Sequence, residues 1–207
     1  MGTMRKTAAQ HLWDLVGAPF RFALLPQDLL PRFGWTTLED ERLAVVLPYV
    51  HGRLLDVGAG ANTLVDRFGG AAVGVDVFDW GGGALLIEDA AKLPFANQSF
   101  DTVSCIAALN HIPNRGAALH EMARVLRPGG CLLLTMIDPI LGAVGHAIWW
   151  HGEYHQRGGM AKGETGGLWT AQIIQIGQEA GFDLRVHQRF LCGLNHFYWF
   201  EKTRESR

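Results

Sequence analysis

Two short apolar runs, each stopping abruptly at a turn, constrain this chain most. "RLLDV" runs into "GAGANTL", and "AAVGVDV" runs into "FDWGGG". Apolar runs of this length, bounded by turn signals, fit strands covered on both faces, as in a parallel sheet. Between them, "NTLVDRF" leaves room for one short helix closed by Gly69 and Gly70. Strand, helix and strand in so little chain make a crossover unit, which points to an α/β fold.

The pattern continues downstream. "ALLI" reads as a brief third strand, and "FDTVSCIAAL" as a fourth, entered through the turn "ANQS". "NRGAALHEMARVL" is a helix with an apolar face at Ala117, Leu119, Met122, Val125 and Leu126, stopped by "RPGG". "CLLLTMI" is the fifth strand, and "WTAQIIQIGQEAG" a helix ending at Gly181. "FDLRVHQRFL" and "HFYWFEKT" alternate, and pair antiparallel through "CGLN". Upstream, helices are expected over 6–16 and 38–49, the second capped by Thr36 or Thr37 with Glu39 or Asp40 three residues on. The expected fold is a three-layer α/β sandwich with a mainly parallel seven-stranded sheet and an antiparallel C-terminal strand pair. One domain is expected: a helical lid over 1–50, a core over 51–135, an insert over 136–170, and a closing helix and strands over 171–207.

Composition narrows the function classes. The 207 residues are 48% hydrophobic and carry a net charge of -2, with no basic cluster of the kind that meets nucleic acid. Cys105, Cys131 and Cys192 are widely spaced and form no CxxC pair, so neither a disulfide framework nor a zinc knuckle is indicated, and the reducing cytoplasm is the expected compartment. The front segment "LVGAPFRFALLPQDLL" is interrupted by Pro19, Arg21, Pro26 and Asp28, which excludes an integral membrane span there.

In open α/β sheets, ligands bind beyond the carboxyl ends of the strands. There this chain places Gly58 and Gly60, then Asp76 with Val77, then Asp89 with Ala90, then Ile106 and the stretch from Leu109 to His111. A GxG turn by itself needs nothing more than a tight turn to explain it. Asp76, about 20 residues on at the next strand end, stands where a carboxylate can accept both hydroxyls of a ribose. Asp89 can accept from an adenine amine while the Ala90 N–H donates to a ring nitrogen. A dinucleotide fingerprint wants a third glycine near Asn62, and none is there.

The blocks "LLDVGAG", "DAAKLPF" with "SFDTV", and "LRPGG", in this order, resemble the class I S-adenosylmethionine-dependent methyltransferase family. The resemblance covers about residues 53–135 and the last two strands, and implies a Rossmann-like fold. It also implies S-adenosylmethionine as cofactor and methyl transfer to a small acceptor. By position, Asp56, Gly58, Ala59 and Gly60 would line the methionine side, Asp76 would hold the ribose, Asp89 and Ala90 would face the adenine, and Ile106 would approach through its backbone. Asn62 would touch the carboxylate end of the cofactor or cap the following helix, capping being the expected role. The helix usual between strands two and three is missing, so Phe78 or Trp80 would have to wall the adenine.

His111 is the candidate general base, should the acceptor carry a proton to lose, with loop packing or cofactor contact as its other readings. After strand five, Trp149, Trp150, His151, Tyr154 and His155 read as a substrate lid. His151 and His155 have helical metal-pair spacing, but Gly152 stands where the zinc-protease pattern needs glutamate, so no metal is expected. Phe20, Phe22, Leu24, Leu25 and Trp35 would form an opposing lid, and this apolar character leans towards a partly hydrophobic acceptor. A nicotinamide-dependent oxidoreductase and a cofactor-binding module without turnover remain the alternatives.

Overall fold

The computed structural model describes residues 6–139 and 163–203. The lid residues Trp149, Trp150, His151, Tyr154 and His155 lie outside them, and so does the side chain of Phe22. Seven strands form one sheet: β1 (Leu54–Val57), β2 (Ala72–Asp76), β3 (Leu85–Leu86), β4 (Phe100–Ile106), β5 (Leu126–Ile137), β6 (Phe182–Phe190) and β7 (Asn195–Lys202). Their order is β3-β2-β1-β4-β5-β7-β6. The first five are parallel, and β7 runs antiparallel to both β5 and β6. This is the expected sandwich.

The helices are α1 (Ala8–Val16), α2 (Leu38–Val46), α3 (Thr63–Phe68), α4 (Arg115–Val125) and α5 (Thr170–Glu179). Two cores form because successive strand residues point to opposite faces. On one face Leu132, Leu134, Tyr198 and Phe200 meet Leu119 and Met122 of α4 and Ile173 of α5. On the other, Leu54, Leu133 and Phe197 meet Leu43 and Val46 of α2 and Leu64 of α3. Full burial of side chains such as Phe182, Phe197 and Phe200 contributes about 1.5–3 kcal/mol each. From β1 the chain crosses outward to β2 over one face, whereas β4 crosses to β5 over the other. The crossover direction reverses between β1 and β4, and a crevice opens at their carboxyl ends.

Several local expectations change. β4 ends at Ile106, and Leu109 belongs to a single 3-10 turn (Leu109–His111) after it. "RPGG" does not separate helix from strand, because β5 begins at Leu126 and carries these residues as an irregularity opposite Phe100 and Thr102. Gly130 is required there, since a Cβ would press on the Asp101 and Arg127 carbonyls. On α4 the buried face is Ala118, Leu119, Met122, Ala123 and Val125, one step round from the expected Ala117. Thr37, and not Thr36, caps α2, its hydroxyl accepting from the Asp40 N–H at 3.0 Å. No helix occurs between β2 and β3, as expected.

Candidate functional site

The chain leaves β1 through three successive left-handed positions, Gly58 (φ 74°), Gly60 (φ 53°) and Asn62 (φ 63°). Val75 O at the end of β2 accepts from the N–H groups of Gly58 and Ala59, pinning the turn to its neighbour strand. A Cβ on Gly58 would overlap Ala108, so glycine here lets the loop after β4 pack close. Nothing lies within 4 Å of where Gly60 would carry a Cβ, so the turn faces open space at that point.

Asn62 answers the question of the absent glycine. It stands at the N-terminus of α3, yet its side chain makes no capping hydrogen bond, contrary to expectation. The side chain lies instead over β2, where a Cβ on Gly74 would overlap both Asn62 Oδ1 and Ala59. In the dinucleotide fingerprint the third glycine permits close helix–strand packing. Here the strand supplies that glycine, and the helix start uses asparagine, which tolerates the left-handed region.

Two carboxylates flank the turn. Asp76, 9% exposed, accepts from the Gly60 N–H at 2.9 Å and from the Phe78 N–H at 3.0 Å, so it is aimed across the turn before any ligand arrives. Asp56, buried in β1, accepts from the Ser104 hydroxyl at 2.6 Å. Burial, with Asp76 adding like charge, pushes its carboxyl up to about 7. A site with a costly second negative charge suits a cationic or hydroxylic ligand and repels a phosphate.

Asp89 is exposed and accepts from the Ala91 N–H at 2.8 Å, while Ala90 is buried beside it. The stretch beyond them is clamped by α4. Glu121 accepts from the Leu93 N–H at 2.9 Å, and Arg124 donates to the Leu93 and Phe95 carbonyls. On the 77–84 connection, Val77 and Phe78 are exposed, and the Phe78 and Trp80 rings sit 4.7 Å apart. Gly82 passes so close over Ala61 that a Cβ would overlap its carbonyl.

At the exit of β4, Ile106 is half-buried and the Ala107 N–H donates to Thr135. Asn110 Nδ2 has two hydrogens, one for the Thr165 carbonyl at 3.1 Å and one for His111 Nε2 at 3.0 Å. His111 Nε2 is therefore an acceptor, and Nδ1 carries the proton towards Glu164 Oε2, 3.4 Å away. The Glu164 side chain is 4% exposed. Arg115 ties the same neighbourhood together by donating to the Leu109, Asn110 and Gly163 carbonyls.

Thus Asp56, the 58–60 turn and Asp76 come together around one end of the sheet, with the β4 exit packed against it through Ala108. Sequence reasoning missed Ser104, Glu164 and the Glu121–Arg124 clamp. The clamp had a visible signal, an acid and an arginine three apart on a helix. Ser104 and Glu164 had none, because their partners are 48 and 53 residues away. It also missed a polar stack where β6 and β7 meet α5: His187 Nε2 and His196 Nδ1 are 2.9 Å apart, and the Tyr198 and Thr170 hydroxyls 2.9 Å. Burial holds both imidazoles below the ordinary histidine value. Among the described residues, no cluster of His, Cys, Asp or Glu suits a metal ion, and no helix is long and apolar enough to cross a membrane.

Residues 55–134 match the methyltransferase domain family. Among curated proteins, the chain is 37% identical over 123 residues to the 27-O-demethylrifamycin SV methyltransferase of Amycolatopsis mediterranei, covering 48% of this chain and 44% of that one. It is 35% identical over 95 residues to the demethylmenaquinone methyltransferase of Renibacterium salmoninarum, covering 40% of each. The matched segments thus span less than half of these relatives' length. A solved S-adenosylmethionine-dependent methyltransferase of Thermotoga maritima, described as a possible histamine N-methyltransferase, superimposes with a TM-score of 0.63 at 18% identity. That overlay covers 79% of this chain and 88% of the other, and shows the shared fold.

Proposed function

We propose, from the match of residues 55–134 to the methyltransferase domain family, that this protein is a class I S-adenosylmethionine-dependent methyltransferase that transfers a methyl group to a small, partly hydrophobic acceptor. The observation that carries the reading is the pair of carboxylates, Asp56 and Asp76, beside a glycine turn with open space at Gly60. A pyrophosphate at this turn would meet two acids. A cofactor carrying an ammonium, a sulfonium and ribose hydroxyls meets them favourably. When bound, S-adenosylmethionine supplies an activated methyl group on a sulfonium, a very good leaving group.

The chain's own residues then do the holding. Gly58, Ala59 and Gly60 bound the methionine side with Asp56 as its counter-charge, and Asn62 keeps the turn closed on β2. Asp76, already oriented by the Gly60 and Phe78 N–H groups, accepts from the ribose hydroxyls. Asp89 and Ala90 face the adenine edge, Val77 and Phe78 border its ring, and Ile106 closes the crevice from β4. What remains is alignment and desolvation of the acceptor. For a hydroxyl acceptor, His111 Nε2 takes the proton in the place that the Asn110 amide now occupies, and Glu164 orients the ring and balances the imidazolium. Trp149, Trp150, His151, Tyr154 and His155 belong to the lid over the acceptor in this reading. The aromatic residues of both lids, and the 27-O-demethylrifamycin SV and demethylmenaquinone acceptors named for two relatives, support an acceptor of this class.

Calorimetric titration with S-adenosylhomocysteine and with NADH separates the readings. Micromolar binding of the first and none of the second is expected. Binding of NADH alone would sink the proposal. Release of labelled methyl to a panel of phenolic, quinol and macrolide acceptors then tests turnover, and tight cofactor binding with no transfer to any of them would favour a module without activity.

A further inference from the structure

The contact between His111 and Glu164 joins two stretches that chain order keeps far apart, and one side chain holds both stretches at once. Arg115 stands at the first position of α4. On the His111 side, its Nε donates to the Leu109 carbonyl at 3.2 Å and its Nη2 to the Asn110 carbonyl at 3.0 Å. On the Glu164 side, the same Nη2 donates to the Gly163 carbonyl at 2.8 Å and to the Thr165 hydroxyl at 3.3 Å. The guanidinium therefore grips the residue directly before His111 and both residues that flank Glu164. Its planar, pre-organised fork suits such a task, since little freedom is lost for each bond formed.

The two stretches are also laced directly. The Thr165 N–H donates to the Asn110 carbonyl at 3.0 Å, and Asn110 Nδ2 returns a bond to the Thr165 carbonyl at 3.1 Å. The same amide reaches His111 Nε2 at 3.0 Å, while Glu164 Oε2 lies 3.4 Å from Nδ1. Both groups that address the His111 ring are thus carried on the frame that Arg115 closes. Two residues beyond Thr165, a Cβ on Gly167 would overlap the Ile137 carbonyl, so the frame is seated against the end of β5 as well. Burial weakens the hold of the Arg115 guanidinium on its proton, and the charge of Glu164 opposes that shift.

We propose that Arg115 is a positioning residue. By fixing the 163–165 stretch against the β4 exit, it keeps the His111 proton on Nδ1 and the lone pair of Nε2 directed at the acceptor. The inference rests on the reading of His111 as base for a hydroxyl acceptor. A neutral imidazole carries one proton, and the hydrogen bond made by one nitrogen sets the state of the other. Once the frame loosens, Glu164 and the Asn110 amide lose their places together. The proton is then free to sit on Nε2, where the ring can take none from an acceptor. A plain packing role for Arg115 has a different signature, a loss of stability with no specific change at His111.

Nitrogen-15 spectra of the full chain, labelled at histidine, free of cofactor and held at about pH 8, report which ring nitrogen is protonated. His111→Gln assigns the signals by their loss. Wild type should show the Nδ1–H form. Glu164→Met should reduce it, and Arg115→Met should reduce it at least as far, because it loosens both partners of the ring. Arg115→Lys keeps the charge but not the fork, so it should move in the same direction, and it carries the test should Arg115→Met not fold. Unchanged S-adenosylhomocysteine affinity in calorimetry checks that the cofactor side is intact. For a hydroxyl acceptor, kcat should fall about tenfold or more in the Arg115 variants, with KM for S-adenosylmethionine unchanged. An Nε2–H wild type, or Arg115 variants that keep the wild-type tautomer while losing thermal stability, would overturn the proposal. Undiminished transfer by His111→Gln would instead end the base reading, and the spectra would still decide whether Arg115 fixes the ring.

Discussion

Two aspartates at opposite ends of the neighbouring central strands β1 and β4 each sit beside a glycine turn, and they are in opposite electrostatic states. Asp101, where β4 begins, accepts from the Arg53 N–H at 2.7 Å and from Arg127 at 2.5 Å. Gly52 leaves room for it, since a Cβ there would overlap the carboxylate. These donors, the Arg53 N–H first, hold its carboxyl below the usual carboxylate range. Asp56, near the end of β1, has Ser104 as its hydrogen-bond donor and Asp76 as a charged neighbour of the same sign. One charge is fully answered by the fold and the other is not. A satisfied acid is architecture, whereas a buried acid short of positive charge is ready for a ligand that brings some.

This contrast can be broken by substitution, most strongly at Asp56. Its carboxyl keeps its proton in the folded chain up to about 7, whereas the unfolded chain loses it near 3.8. The folded state therefore binds more protons across that window, and stability should fall as pH rises through it and level off above. Asp56→Asn should flatten this fall. By pH 8 it should be the more stable form, on the order of 4 kcal/mol, in urea titrations compared at pH 5 and pH 8. An unchanged pH profile would mean that Asp56 finds a compensating donor.

Asp76→Ala comes next. Loss of two oriented acceptor positions should weaken S-adenosylhomocysteine binding by about a hundredfold, or roughly 2.7 kcal/mol, measured by calorimetry. Equal affinity in the variant would remove Asp76 from the ribose role. Gly74→Ala should cost about 1–3 kcal/mol in thermal unfolding, because its methyl group overlaps Asn62 and Ala59. Adding Asn62→Gly should recover most of that loss if the glycine has indeed moved from helix to strand. The smallest effect is expected from Asp101→Asn, about 1 kcal/mol of stability with no change in cofactor affinity. That cost should shrink as pH falls through the lowered carboxyl value, where the native acid also loses its charge. A change in affinity would mean that the two ends of the central strands are coupled.

The fold was largely legible in the chain, and the misreadings have a common cause. Strands were visible because both of their faces are covered, so the apolar run needs no partner to be recognised. Leu126 was assigned to the end of α4, yet it starts β5, because the ladder with Phe100 outweighs the local turn preference of "RPGG". Asn62 was read as a cap from its position before α3, yet its side chain went to Gly74, a residue on another strand. Thr37 and Asn114, by contrast, cap their helices through neighbours three residues on, a contact that the chain order itself dictates.

What the sequence determined alone is therefore whatever depends on near neighbours: the alternation of strands and helices, the left-handed turn after β1, the acids at successive strand ends, and the missing helix after β2. Tertiary structure decided the rest. It set Ser104 and Asp76 around Asp56, brought Glu164 to His111, and moved the close-packing glycine to β2. Each of these rests on an interaction between residues far apart in the chain, and whether a carboxylate is answered depends on what the fold brings beside it.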